Sequence, residues 1–157
     1  MNDFGCFPTG TSTYDCSQVI INAGRIAYAP GLINQSVLLT ARLRIPDGAR
    51  LTEVTCHFFD NSVTLDGSFR ILARPLTSPG PGWMVYTNAI STTSTSTSIQ
   101  ALDASSNPTS NWGTTGPVAN GNLAFFVSVI LRDADGTGSI STIFLNGCSY
   151  QYEVSGF

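Results

Sequence analysis

Lysine is missing from this sequence altogether. All seven basic residues are arginine, and charged residues of both signs make up only 11% of the 157-residue chain, against roughly 25% in an ordinary soluble domain. The formal net charge is −3, and no run of basic residues occurs. Nucleic-acid binders neutralise phosphates with clustered cations, so that class is excluded. So is a capsid protein that gathers its genome with a basic arm.

Histidine occurs once, as His57, and no C-x-x-C is present. A zinc site needs ligands at short spacing, and none are so placed. There is no G-x-S-x-G turn to carry a nucleophilic serine. Paired carboxylates for glycoside hydrolysis are also hard to find, because most aspartates sit in turn contexts such as "PDG", "LDG" and "DADG". The sequence therefore reads as non-enzymatic. No apolar run approaches the roughly 18 residues of a membrane span, and "MNDFGCFPTG" lacks the apolar core of a signal peptide.

In place of charge the chain has Ser, Thr, Asn and Gly, with 42% hydrophobic residues. That content supports one sizeable core. The expected division is an N-terminal segment, 1–24, followed by a single domain, 25–157. The four cysteines are Cys6, Cys16, Cys56 and Cys148. Four cysteines allow three pairings. The preferred one is Cys6–Cys16, closing a short N-terminal loop, with Cys56–Cys148, joining two strand-like segments. On the chain-entropy model these contribute about 3 and about 4.7 kcal/mol. Four reduced, buried thiols are the alternative. Disulfides and this composition together place the protein outside the cell or at its surface.

No long amphipathic helix is visible. Period-two patterns recur between Gly, Pro, Asn and Asp clusters. In 36–45, Val37, Leu39, Ala41, Leu43 and Ile45 share one face. In 50–59, Val54, Cys56 and Phe58 do, and in 67–75 Phe69, Ile71 and Ala73 lie opposite Arg70, Leu72 and Arg74. Residues 83–90 read as a further strand. The run "STTSTSTS" (91–98) is uncharged and lacks Gly and Pro. Threonine suits a pleated strand, so 92–102 is predicted to be a strand, not a linker. Residues 104–122 form the longest loop. "LAFFVSVILR" (123–132) is apolar on both faces and reads as a central strand covered on both sides. In 139–154 the parity of the apolar residues changes at "NG", which predicts a β-bulge at Gly147. About eight strands in this order make an all-β, antiparallel, jelly-roll-like sandwich.

"RIPDGARLTEVTCHFFDNS" (44–62) and "FLNGCSYQYEV" (144–154) resemble stretches of secreted bacterial β-sandwich proteins of uncharacterised function. The resemblance spans roughly 25–157 and implies a fold, not a chemistry. Trimeric C1q-like and tumour-necrosis-factor-like heads are analogous at the level of fold alone.

Several sites follow as expectations. Trp83, Trp112, Tyr86 and Tyr28 would form an aromatic platform for a glycan. Thr93, Thr95 and Thr97 would line an exposed strand edge free of the lysines that discourage edge pairing, and so dock a second copy. Asp133 and Asp135 offer hard oxygen ligands for calcium, although as "DADG" they suit a turn better, and no cofactor is expected. "NQS" (34–36) fits a glycosylation sequon, and a single T-x-T row is too little for an ice-binding face. The function expected is a self-associating structural protein of a surface layer, fibre, matrix or trimeric head, with a carbohydrate-binding module as the alternative.

Overall fold

The computed structural model describes residues 5–6, 19–22, 25–28, 36–61, 65–77, 82–93, 98–113, 116–119, 122–133 and 143–154. They form an antiparallel sandwich of two sheets. The strands are β1 (Gly5–Cys6), β2 (Val19–Asn22), β3 (Arg25–Tyr28), β4 (Ser36–Arg42), β5 (Ala49–Asp60), β6 (Leu65–Pro75), β7 (Met84–Val85), β8 (Ile90–Ser91), β9 (Ile99–Asp103), β10 (Leu123–Asp133) and β11 (Ile143–Val154). The first sheet runs β1-β4-β10-β6-β7, with β8 also on β6. The second runs β2-β3-β11-β5-β9. The pairings are nested in the sequence. β6 pairs with β7 and β8, β5 with β9, β4 with β10 and β3 with β11.

The alternation in the sequence decides which side chains meet between the sheets. Leu39 and Leu43 from the β4 segment, Phe69, Ile71 and Ala73 from β6, and Phe125, Val127, Val129 and Leu131 from β10 are buried. They face Leu51, Val54, Cys56 and Phe58 from β5 and Ile143 and Leu145 from β11 in one core. β-Branched and aromatic side chains pack well on such pleated surfaces.

Two irregularities adjust this pattern. The β11–β5 register shifts between Leu145 and Gly147, where Gly147 has φ 145°. This bulge brings Cys148 back to the side of the core, as the parity change predicted. A second shift falls between Gln151 and Tyr152 and leaves Thr52 as the extra residue on β5. Glycine is obligatory at Gly116. Its φ is +92°, and a Cβ there would lie 1.9 Å from the Leu51 carbonyl oxygen.

The region 83–102 differs from expectation. It holds two short strands, β7 and β8, before β9 begins, and the chain between β7 and β8 leaves the ladder. Threonine hydroxyls fill the gaps. The Ile71 amide donates to Thr87 Oγ1 at 2.9 Å and the Gly67 amide to Thr92 Oγ1 at 3.0 Å. Thr92 Oγ1 in turn donates to the buried Asp60 carboxylate. Both threonines are therefore buried. The Ser/Thr-rich stretch is not a continuous strand. β9 begins only at Ile99, residues 92 and 93 lie outside any strand, and 94–97 lie outside the described residues.

The long loop covers the β7 edge. The Thr109 amide donates to the Tyr86 carbonyl and the Asn88 amide to the Asn107 carbonyl. Thr109 Oγ1 and Asn111 Nδ2 both donate to the Val85 carbonyl at 2.8 Å. An open edge is thereby satisfied, and Trp112 is carried into the core.

Candidate functional site

The Cys56–Cys148 disulfide is present, between residues directly opposite in the β5–β11 register with Cα atoms 4.0 Å apart. It links neighbouring strands of one sheet and does not bridge the two sheets. Cys6 lies in β1, but its side chain and Cys16 lie outside the described residues.

The expected aromatic platform does not assemble. Trp112 and Tyr86 are 5% exposed and belong to the core. Tyr86 meets Phe125 edge to face at 5.2 Å, and burial pushes its phenol above the ordinary value of 10.0. Of the three whose side chains are described, Trp83 alone is exposed, at 45%. Tyr28 lies in β3, with its side chain outside the described residues.

Of the expected threonine edge only Thr93 is among the described residues. Thr93 donates its amide to Gln100 Oε1, and its carbonyl accepts from Gln100 Nε2 at 2.8 Å. Its backbone is thus occupied by a side chain of its own molecule and is not offered to another copy. Thr95 and Thr97 lie outside the described residues, as does Asp135, while Asp133 ends β10 with its side chain outside them. Among the described residues no cluster of three or more His, Cys, Asp or Glu occurs.

Two outer faces remain, and they differ in charge. On the second sheet the outward side chains are Ile99, Phe59 and Phe144 in one row, with Ala101 and His57 beside them. Phe59 and Phe144 are in ring contact at 6.1 Å, and Ile99 is 53% exposed. His57 and Ile99 border a shallow hollow of about 320 Å³ together with Ser149. Apart from the buried Asp60, the acids of this sheet among the described residues, Glu53, Asp103 and Glu153, stand at the far end. Glu53 accepts from Thr55 and Gln151. Asp103 caps a 3-10 turn by accepting from the Ser105 amide.

The outer face of the first sheet carries arginine. Register places Arg42, Phe126, Leu72 and Val85 in one row and Thr40, Ser128 and Arg70 in the next. Trp83 meets Phe126 edge to face at 5.3 Å. Together they form an open cavity of about 380 Å³, lined also by Leu38 and Arg74 and, among the described residues, by no acidic one. The strand β10 is central, as its apolar pattern predicted, but only one of its faces is covered by the other sheet. Phe126 points into this cavity instead. A larger cleft of about 710 Å³ lies at the β4–β5 turn, where Arg42 and Arg44 share its wall with Asp47.

Arg70, Arg74 and Phe126 were not singled out from the sequence as site residues. The signal for them was the doubly apolar run 123–132 beside the Arg-x-Leu-x-Arg alternation of 70–74. Comparison with family models, curated proteins and solved structures found no match.

Proposed function

We propose that this chain is a non-enzymatic structural unit, a jelly roll outside the cell, that assembles with copies of itself through the outer face of its disulfide-bearing sheet. The nested pairing supports the jelly-roll reading, because a long two-stranded ribbon rolled upon itself produces that order. The observation that carries the assembly reading is the Ile99–Phe59–Phe144 row. It is apolar, crosses three strands and holds no ionised group. Interface cores are depleted in charge and enriched in aromatic residues. Contact between identical patches also sets each charge against its own copy or a neighbour. The uncharged row avoids that repulsion, while the arginine-bearing face does not.

No described helix is long and apolar enough to cross a membrane, and the disulfide favours an oxidising compartment. The test is substitution on the face. Phe144→Arg and Ala101→Lys, which both place a cation there, should each convert the assembled protein to monomer while leaving the thermal melt of the monomer close to that of the parent. Assembly that survives both substitutions would remove this face from the account.

A further inference from the structure

We propose that the groove on the outer face of the β4-β10-β6-β7 sheet binds an acidic sugar, a pyranose bearing a carboxylate. This face is opposite to the assembly face, so the inference does not depend on self-association.

Three observations point to the ligand. The first is a pair of cations. Arg70 and Arg74 line the groove, and among the described residues no acid lines it to compete. Arg70 Nε is itself enclosed, so the terminal nitrogens of the guanidinium are the ones a ligand would meet. They suit a carboxylate better than a single acceptor and would bind it with charge-assisted bonds.

The second is an exposed flat surface. Trp83 is 45% exposed and braced by Phe126, and Leu72 and Val85 extend the apolar floor. A sugar ring has one apolar face that an indole can cover. The third is the pair of hydroxyls, Thr40 and Ser128, in the row with Arg70. They offer donors and acceptors to ring hydroxyls, which an aliphatic chain would leave unpaired. The volume of about 380 Å³ is at the small end of ligand pockets, so one or two sugar residues fill it.

Only Trp83 of the two tryptophans is exposed, so its fluorescence reports occupancy directly. The full chain is titrated with glucuronic acid, galacturonic acid, glucose, inorganic phosphate and octanoate. The expected result is saturable change with at least one uronic acid, at least tenfold weaker response to glucose, and weakening with added salt. Arg70→Met should lose at least tenfold in affinity, and Arg74→Gln, at an exposed position, should lose less. The ratio of uronic acid to glucose in the parent protein needs no variant, so misfolding of Arg70→Met leaves the test intact. Equal binding of glucose would overturn the role of the arginines. Phosphate binding as tight as uronic acid would overturn the role of the ring. Tighter octanoate would make the groove a site for apolar acids, and no response to any probe would remove the site.

Discussion

Replacing both Cys56 and Cys148 with alanine is the perturbation whose size the structure fixes best. The cross-link joins residues 92 apart in sequence. In the chain-entropy model, closing a loop of that length removes freedom from the unfolded chain equivalent to about 4.6 kcal/mol at 25 °C. The native state itself should change little, because the two residues already face each other in the β5–β11 ladder. A chain of this length has an unfolding entropy of about 330 cal/mol/K near its melting point, so the loss corresponds to a Tm lower by about 14 °C. The assay is equilibrium denaturation of the double variant in urea, beside calorimetry. Substitution is better than reductant, which would act on every cysteine in the chain. Because the cross-link compacts the unfolded state, its removal should also raise the m-value. A loss below about 1.5 kcal/mol with an unchanged m-value would refute the reasoning. It would mean that the unfolded chain was not constrained by this bond.

Thr92→Val removes the hydroxyl that serves both the Gly67 amide and the Asp60 carboxylate, and should cost about 2–4 kcal/mol in urea denaturation. Thr92→Ser, which keeps the oxygen, should cost less than about 1 kcal/mol. The buried Tyr86 phenol keeps its proton at pH values where the unfolded chain releases it. Its contribution to stability is therefore full below about pH 10 and falls as pH rises toward the folded-state value. Tyr86→Phe should flatten that alkaline decline in pH-dependent melts.

The sandwich was legible in the sequence because its long strands obey a simple alternation. Leu39, Leu43, Phe69, Ile71 and Ala73 were placed inward by parity alone, and they are buried. Cys56 and Cys148 were paired because each stands in a strand-like segment. The misses share a cause. In the 83–102 region, Thr87 and Thr92 hydroxyls take the place of backbone carbonyls, and no local pattern announces that a side chain will replace a ladder partner. Trp112 looked available because it stands in a loop, yet that loop hydrogen-bonds along the β7 edge and draws the indole inward. Phe126 was assigned to a covered face because apolar pattern reports hydrophobicity and not what covers it. The groove beside Arg70 depends on Trp83 meeting Phe126, a contact across 43 residues that only the folded chain brings together.

The central claim is assembly through the uncharged Ile99–Phe59–Phe144 row of one sheet face, and mass in solution tests it most directly. Light scattering on a sizing column, across a range of protein concentrations, should give a discrete multiple of 16.6 kDa for the parent chain and 16.6 kDa for Phe144→Arg. A parent chain that remains at 16.6 kDa throughout that range would contradict the account.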